Sequence, residues 1–344
     1  MKLLTPGPVQ VPRRVLEALA RQPLFHRSEE FRRVFGEVLE NLSKLYPGSE
    51  PVVIPGTGTL AVDAMVYNYV EPGDKVLAVV NGVFGERLVE ALGSRGAEVL
   101  VLESRPGESV PYEAVEEEAL RVRGLKAIAV VHNETSTGVA VRCLDKLRDL
   151  AHGLGALLLV DSVSGFPAEP IPPGIDVIAT ASHKAMLATP GASILYVSAK
   201  PRSSKGVPPS MRLDKFIESR AASETPYTPP INTLYALRAS TEYILEMGVT
   251  RYQELHAERA KAVYSLVRAK PLVKDVAARS RTVAAFELAR AREAIGELAS
   301  NGYAVAGGMG ALRDRVVRVG LMGEIERQDL EAVARVLNKY AGTA

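Results

Sequence analysis

The chain of 344 residues can bury a large core and predicts two domains, or one large α/β domain with a smaller unit attached. Its 47% apolar residues, 24% charged residues and net charge of +2, with no block of consecutive basic residues, do not indicate nucleic acid or a membrane surface as a partner. With no signal-like start or long apolar segment we expect a cytoplasmic protein, and Cys143, the only cysteine, excludes an intrachain disulfide and a multi-cysteine zinc site.

Short apolar runs alternate with amphipathic stretches between residues 52 and 198. The runs are KVLAVV, EVLVLE, KAIAVV, ALLLVD, DVIATA and SILYVS, which begin at positions 75, 98, 126, 156, 176 and 193. Strands that are apolar on both sides are covered on both faces, which is typical of a mostly parallel sheet. The repeated strand and helix pattern predicts an open α/β fold whose ligands bind at the carboxyl ends of the strands.

The pattern changes after residue 200. Two helical stretches at about 231–247 and 250–269 are followed by the apolar run TVAAFEL, a helix at about 290–300, the strand-like VVRVGLM and a terminal helix. This order predicts a smaller α+β domain. We expect an N-terminal segment over 1–20 that contributes to the active site or small domain, a large domain over 21–240 and a small domain over 241–344.

Polar segments follow the predicted strands. If strands end near Val53, Val80, Val131, Asp161 and Ala181, the segments PGTGTLAVDA, NGVFGER, HNETSTG, DSVSG and SHKAM share one rim of the sheet. These segments are the richest in Gly, Ser, Thr and His in the chain, so the chemistry is expected there.

The first rim segment, PGTGTLAVDA, is a turn that leads into a helix and carries the hydroxyls of Thr57 and Thr59. Free N–H groups and the helix dipole at such a start suit a phosphate group. No GK[ST] sequence follows, so this is not a Walker loop. The same hydroxyls also suit plain helix caps, and both interpretations stay open.

Asp161 and Lys184 follow two successive strands. A carboxylate at Asp161 can cap the next turn or hold a cationic ring nitrogen of a ligand. Lys184 can keep its charge in water, or partial burial can lower its pKa so that the amine attacks an aldehyde. A phosphate site, a strand-end carboxylate and an imine-forming amine together are what pyridoxal 5′-phosphate requires.

Three other rim residues suit the same ligand. Phe84 can stack on a flat ring, Thr135 can bond the phenolic oxygen or the phosphate, and His183 can donate to the phosphate. Each also has an ordinary structural role as core, loop or buried residue.

Eight motifs in family order carry a resemblance to a known family. They are LTPGPVQVP, PGTGTLA, NGVFGER, HNETSTGV, VDSVSG, SHKAMLATPGAS, TPYTPPINTLYALR and VVRVGLMG. Over nearly its whole length the chain resembles the class V, fold-type I, pyridoxal-phosphate aminotransferases of the alanine–glyoxylate and serine–pyruvate branch. The resemblance implies a large α/β domain with a mostly parallel seven-stranded sheet flanked by helices, and a smaller C-terminal α+β domain.

The resemblance also implies roles for individual residues. Lys184 would form the Schiff base, Asp161 would pair with the pyridine nitrogen, and Gly58 and Thr59, with Thr57 beside them, would hold the phosphate. Phe84 takes the stacking position, Thr135 that of a ring-contacting serine, and His183 replaces a family glutamine. Arg318 matches the arginine that binds the substrate carboxylate, and Gly7 lies in the loop that closes over the substrate.

A homodimer with active sites at the subunit interface is implied by TPYTPP. In such enzymes Thr228 reaches the phosphate of the other subunit, and Thr225 stands where the family has a tyrosine with the same role. That departure leaves the contact of Thr225 open.

The resemblance predicts ping-pong transamination from a small amino acid, alanine or serine, to glyoxylate or pyruvate. Aspartate or phosphoserine transamination would need another cation, for which Arg27 in FHRSEEF is a candidate. Cysteine desulfuration is disfavoured, because Cys143 precedes Lys184 instead of lying on a loop beyond it. Two other hypotheses are a pyridoxal-phosphate-binding protein without turnover and a plain sugar-phosphate binder.

Overall fold

The apolar runs form strands of a seven-stranded sheet in a computed structural model that describes residues 1–202 and 205–342. The elements up to residue 200 are, in chain order, β1 (Lys2–Leu3), α1 (Arg13–Leu19), α2 (Glu29–Leu45), β2 (Glu50–Gly56), α3 (Gly58–Tyr69), β3 (Lys75–Val80), α4 (Val83–Arg95), β4 (Glu98–Glu103), α5 (Tyr112–Arg121), β5 (Leu125–Val131), β6 (Asn133–Glu134), β7 (Val139–Ala140), α6 (Leu144–Gly153), β8 (Leu157–Asp161), β9 (Val177–Ala181) and β10 (Gly191–Val197). The later elements are α7 (Leu213–Arg220), α8 (Ile231–Met247), α9 (Val249–Leu266), β11 (Lys270–Pro271), β12 (Val283–Glu287), α10 (Ala291–Ser300), β13 (Tyr303–Ala304), β14 (Ala306–Gly307), β15 (Val316–Gly320) and α11 (Arg327–Tyr340).

The large sheet has the strand order β2-β10-β9-β8-β5-β3-β4. β10 runs antiparallel to both of its neighbours and the other pairs are parallel, which confirms the predicted mostly parallel sheet. Alternate residues of one strand enter opposite cores: Leu77 and Val79 pack under α2, α5, α6 and α8, whereas Val76 and Ala78 pack under α3 and α4. Burial on both faces explains why these strands are continuous apolar runs.

One edge of the large sheet collects the carboxyl ends of six strands, β4 included because it runs parallel to β3. Because β10 is antiparallel on both sides, β2 and β9 point in the same direction as β8, β5 and β3. The predicted ends at Val80, Val131, Asp161 and Ala181 are confirmed, while β2 continues to Gly56, three residues past Val53. The polar segments after these strands therefore share one rim.

A second sheet of four strands has the order β11-β12-β15-β14, and α9, α10 and α11 share a hydrophobic core with it. β1 also joins this part of the fold, because Lys2 pairs with Tyr303 and Leu3 with Ala304 in the parallel β13. The helix predicted over 231–247 is confirmed, but the next one ends at Leu266 and not near residue 269. The chain turns extended at Val267 so that β11 can pair with β12.

Among the described residues, none of the helices combines the length and apolar character that crossing a bilayer requires.

Candidate active site

A pocket lies at the rim of the large sheet, above the ends of β2, β3, β5, β8 and β9. Eight of its lining residues are those predicted from the sequence: Thr57, Gly58, Thr59, Phe84, Thr135, Asp161, His183 and Lys184. The others are Val62, Asp63, Arg87, Leu88, Val131, Asn133, Val163 and Ser164. Residues scattered over nearly 130 positions of the sequence therefore meet in one place.

Lys184 lies in a tight turn after β9 and its amine is partly shielded from solvent. The Nζ atom donates a hydrogen bond to the carbonyl of Pro6 at 2.7 Å. Burial lowers the pKa of Lys184 from 10.5 to about 8, Arg318 adds to the decrease and Asp161 opposes it. About a tenth of this amine is therefore neutral and nucleophilic at pH 7, far more than at its ordinary pKa.

Hydrogen bonds within the turn and from α9 hold the turn that carries Lys184. The hydroxyl of Ser182 donates to the carbonyl of Thr189 at 2.6 Å, and the hydroxyl of Tyr252 donates to the carbonyl of Ala185 at 2.7 Å. Leu187 has a φ of 62°, a conformation that costs free energy in a residue other than glycine. The surrounding contacts thus hold a strained backbone that presents Lys184 to the pocket.

Asp161 is the last residue of β8 and is almost fully buried. One carboxylate oxygen accepts a hydrogen bond from the N–H of Val163 at 2.9 Å, which is the capping role expected of a strand-end aspartate. Burial raises the pKa of Asp161 from 3.8 to about 7; the Val163 N–H opposes this, Glu134 adds to it and Lys184 opposes it. A cation in the pocket, such as a protonated ring nitrogen, would favour the charged form of this group.

The start of α3 forms one wall of the pocket. Thr57 is the N-cap residue, its side chain makes no capping hydrogen bond, and Gly58 is the first helical residue. The Thr57 carbonyl accepts a hydrogen bond from the hydroxyl of Ser193 at 2.6 Å, which fixes this turn to β10. The first N–H groups of a 12-residue helix and two threonine hydroxyls therefore border the pocket, a donor set that suits a phosphate.

Phe84, Thr135 and His183 also line the pocket. The guanidinium of Arg87 lies 4.9 Å from the centre of the Phe84 ring, and the Thr135 hydroxyl donates to Ser164 Oγ at 2.6 Å. The Nδ1 atom of His183 is buried without a hydrogen-bond partner, and burial lowers the pKa of His183 to about 4, with Lys184 adding to the decrease. A buried ring nitrogen without a partner indicates a place for a ligand atom.

Arg318 and Gly7 approach Lys184 from the second sheet and from the N-terminal segment. Arg318, in β15, donates from Nε to the carbonyl of Gly307 and from a terminal nitrogen to the carbonyl of Thr135, both at 2.8 Å. These bonds orient the guanidinium and leave other N–H groups for a ligand. Gly7 has a φ of +122°, and a Cβ atom there would lie 2.4 Å from Lys184 Nζ, so the loop reaches the lysine only with glycine at this position.

Thr225 and Thr228 do not line this pocket. Thr225 is buried and its hydroxyl donates to the carbonyl of Tyr227 at 2.7 Å, whereas Thr228 is exposed. Arg27 lies just before the N-cap of α2 and bonds to Glu224 at 3.2 Å and to the Thr225 carbonyl at 2.7 Å. Arg27 is thus engaged within its own chain and is not among the pocket residues.

Besides Asp63 and Arg87, two polar pocket residues, Asn133 and Ser164, were not singled out from the sequence. Asn133 donates from Nδ2 to Ser164 Oγ at 2.7 Å and to Thr282 Oγ1 at 2.9 Å, which connects the rim to the residue just before β12. Its Oδ1 atom is buried without a hydrogen-bond partner. Both residues belong to rim segments that follow predicted strands. That position is the only sequence feature that indicates a place for them in the pocket.

The pocket fits a flat aromatic cofactor that carries a phosphate. It combines a helix start that suits a phosphate, a carboxylate, an aromatic ring, an amine of lowered pKa and a buried histidine nitrogen without a partner. No cluster of three or more metal-ligating side chains occurs within residues 1–202 and 205–342.

Comparisons with known proteins agree with this geometry. The family model described as aminotransferase class-V matches residues 3–333. Alanine–glyoxylate aminotransferase of Oryctolagus cuniculus is 31% identical, over 98% of this chain and 91% of that protein.

Two solved structures share the fold over almost the full chain. An aspartate aminotransferase of subgroup IV from Thermus thermophilus is 30% identical with a TM-score of 0.88, covering 99% of both chains. An alanine–glyoxylate aminotransferase from Nostoc sp. is 27% identical with a TM-score of 0.89, covering 98% of this chain and 94% of that one.

Proposed function

Because the chain belongs to the class V aminotransferases and is therefore a transaminase, we propose that it uses pyridoxal 5′-phosphate to move an amino group from alanine or serine to glyoxylate or pyruvate. The observation that supports this most is that Lys184, with a pKa near 8, shares a pocket with the strand-end carboxylate of Asp161 and the helix start at Gly58.

The residues that would hold the cofactor follow from the pocket. Thr57, Gly58 and Thr59 would bind the phosphate, with His183 as a further donor. Asp161 would bind the ring nitrogen, and its pKa would then fall below that of the free protein because a cation stabilises its charge.

Two other pocket residues would contact the ring itself. Phe84 would stack on one face, and Thr135 would bond the phenolic oxygen. When bound, pyridoxal phosphate supplies an aldehyde that reacts with amines and a ring that accepts electrons.

Lys184 moves the proton in the proposed reaction. Its Nζ atom, neutral in a substantial fraction of molecules near pH 8, would take the proton from the substrate Cα and return it, from the same side, to the carbon that the cofactor aldehyde supplies. Arg318, oriented by two carbonyls, binds the substrate carboxylate through charge-assisted hydrogen bonds. The loop around Gly7 lies against Lys184 and limits the access of water.

Aspartate transamination is the second candidate, because the aspartate aminotransferase of Thermus thermophilus is 30% identical to this chain. A second acidic group on the substrate needs a second cation. Arg27 is bound to Glu224 and to backbone carbonyls, and Arg87 lies over the Phe84 ring. Arg27 therefore has partners already, which favours a small, neutral side chain, whereas Arg87 lines the pocket and is the cation that aspartate or phosphoserine would need.

We further propose a cytoplasmic homodimer in which exposed Thr228 reaches the cofactor phosphate of the other subunit. The exposure of Thr228 supports this, since a hydroxyl on the surface is free to contact a second chain. The hydroxyl of Thr225 already has an acceptor in Tyr227. A contact of Thr225 with that phosphate would require this bond to break.

Half-reactions followed by absorbance test the proposed activity. The protein is loaded with pyridoxal phosphate, and Ala, Ser, Asp, Glu and phosphoserine are added in turn, with Lys184→Ala as the control. We expect Ala and Ser to bleach the cofactor band fastest. A much faster reaction with Asp or Glu would replace the proposed substrate, and no bleaching by any donor would indicate a cofactor-binding protein without turnover.

Borohydride reduction tests the cofactor itself. We expect the cofactor to become covalently attached at Lys184, which peptide mass spectrometry detects. Failure to attach it there would leave a sugar-phosphate binder as the better interpretation.

A further inference from the structure

Glu134 is a fully buried carboxylate beside the pocket that the proposed reaction does not use. It lies in β6, at the start of the turn from Asn133 to Gly138, and its exposed fraction is 0%. Burying a carboxylate is costly unless hydrogen bonds or a cation compensate. The contacts of Glu134 therefore indicate what it is for.

The carboxylate of Glu134 caps α4 from outside the helix. Its two oxygens accept hydrogen bonds from the N–H groups of Phe84 at 3.3 Å and Gly85 at 3.1 Å. The hydroxyl of Ser136 accepts from the N–H of Val83 at 3.1 Å and itself donates to Glu134. The first three N–H groups of α4 are thus satisfied by one turn, and the helix dipole favours a negative charge there.

Gly82 makes this arrangement sterically possible. It is the N-cap residue of α4, with a φ of 153° and no side chain to act as a cap. A Cβ atom on Gly82 would lie 2.5 Å from Ser136 Oγ and 2.9 Å from Glu134 Cγ. The usual capping side chain is therefore replaced by two side chains from a segment about 50 residues later.

The same turn also binds Arg318, through the residue that follows Glu134. The Thr135 carbonyl accepts the hydrogen bond from Arg318 at 2.8 Å. Burial lowers the pKa of Arg318, and the nearby Glu134 charge opposes that decrease. The helix that carries Phe84 and the guanidinium of Arg318 are thus attached to successive residues of one turn.

We propose that Glu134 is a positioning residue of this transaminase: its buried carboxylate fixes the first turn of α4, and with it Phe84, relative to the turn that orients Arg318. It thereby sets the geometry between the ring-stacking side chain and the carboxylate-binding guanidinium. The roles of Phe84 and Arg318 rest on the proposed function, whereas the position of Phe84 in the free protein can be tested without it.

A tryptophan in place of Phe84 reports on this position directly, because the chain contains no tryptophan. Three proteins are compared: Phe84→Trp alone, Phe84→Trp with Glu134→Gln, and Phe84→Trp with Glu169→Gln. Glu169 is a matched control, since it is also 0% exposed but bonds to Arg142 and the backbone of Arg281 outside the pocket. Glutamine keeps the size of Glu134 but places an NH₂ group against backbone donors.

The first readout is fluorescence of the cofactor-free proteins. We expect Glu134→Gln to increase acrylamide quenching of the introduced tryptophan, because loss of the cap raises the population with an open start of α4 about fivefold, and Glu169→Gln to leave it unchanged. Equal quenching in all three proteins, or the same increase in the Glu169 control, would overturn the proposal. If the Glu134→Gln protein does not fold, Ser136→Ala replaces it, because it removes the acceptor of Val83 and one donor to Glu134.

The second readout uses the holoenzymes with native Phe84. We expect Glu134→Gln to raise KM for alanine roughly tenfold with a smaller decrease in kcat, because a displaced Arg318 weakens substrate binding. An unchanged KM would contradict the link to Arg318. If the protein with native Glu134 binds no pyridoxal phosphate, the proposed function fails, while the fluorescence comparison still decides whether Glu134 positions α4.

Discussion

At the scale of single residues, Lys184 and Asp161 share one physical cause for opposite pKa shifts. Burial disfavours the charged form of each, so the pKa of the lysine falls to about 8 and that of the aspartate rises to about 7. Both groups can then change protonation state near neutral pH, which suits proton transfer. In the cofactor-free protein each shift lowers the free energy of unfolding at pH values where the group is charged in the unfolded chain. Each shift therefore predicts how an uncharged substitution changes stability with pH.

Asp161→Asn should stabilise the cofactor-free protein at high pH. The folded-state pKa of about 7 exceeds 3.8, so stability from this group is lost as pH rises from about 4 to 7. At pH 8 the variant should gain about 2–4 kcal/mol in the free energy of unfolding, and at pH 4 almost nothing. Urea unfolding at both pH values measures this, with the exposed Asp145→Asn as control; equal gains at both would contradict the assignment.

Lys184→Met should stabilise the cofactor-free protein at low pH. The folded-state pKa of about 8 is below 10.5, so stability rises with pH between these values and the full penalty applies below pH 8. After subtraction of the lost bond to Pro6, we expect a gain of about 2 kcal/mol at pH 7 that disappears above pH 10. Urea unfolding of Lys184→Met, with the exposed Lys126→Met as control, measures this gain. A lower stability of Lys184→Met at pH 7 would contradict the predicted sign of the change.

At the scale of elements, the N-terminal segment connects the C-terminal part of the fold to the pocket. β1 pairs with β13, Gln10 pairs with Gly323, and between them the carbonyl of Pro6 accepts the bond from Lys184. The loop is therefore held at both ends, and its position over the lysine depends on the absence of a side chain at Gly7.

Gly7→Ala should displace this loop from Lys184. The added Cβ would lie 2.4 Å from Nζ and the φ of +122° is strained for alanine, so we expect amide hydrogen exchange in residues 4–10 to increase about tenfold or more. Gly296→Ala, inside α10 with no atom within 4 Å of the new Cβ, is the control. It should leave that exchange unchanged and stabilise the protein by about 0.5–1 kcal/mol. Unaltered exchange in Gly7→Ala would mean that the loop adapts.

The strands were predictable from the sequence and several other elements were not. Strands buried on both faces leave a continuous apolar run, which explains the agreement at Val80, Val131, Asp161 and Ala181. The short β6–β7 hairpin has no such signature, because its backbone pairs over two residues on each strand. The sequence pattern indicates only a polar rim segment there.

At the scale of the whole molecule, the proposed homodimer can be tested by complementation. Lys184→Ala removes the reactive amine from its own site, and Thr228→Glu would place a negative charge against the phosphate in the other subunit's site. Each variant alone should be nearly inactive. In a mixed dimer one site keeps both native residues, so random reassembly should restore about a quarter of the native activity.

The measurement is activity after the two variants are unfolded together and refolded, with each refolded alone as control. Activity no greater than the sum of the controls would show that Thr228 does not act across an interface.

The sequence predicts those site residues that directly follow a strand of the large sheet. Lys184 and Asp161 follow strands whose ends must meet at one edge, so their proximity could be inferred. The role of Glu134 could not, because it depends on the start of a helix about 50 residues earlier, brought against it by the fold. The engagement of Arg27 by Glu224 is likewise a long-range contact that no local pattern reveals.

The placement of β2 has a consequence for synthesis on the ribosome. In the described sheet β2 lies at the edge and is hydrogen-bonded to β10, with Gly56 opposite Gly191. The helix start at Thr57–Thr59 is therefore fixed to the sheet in part by a strand translated more than 130 residues later, and closing so long a loop is slow. Nascent chains that stop before β10 lack the hydrogen bond from Ser193 to Thr57, so we expect the proposed cofactor site to be completed late in synthesis.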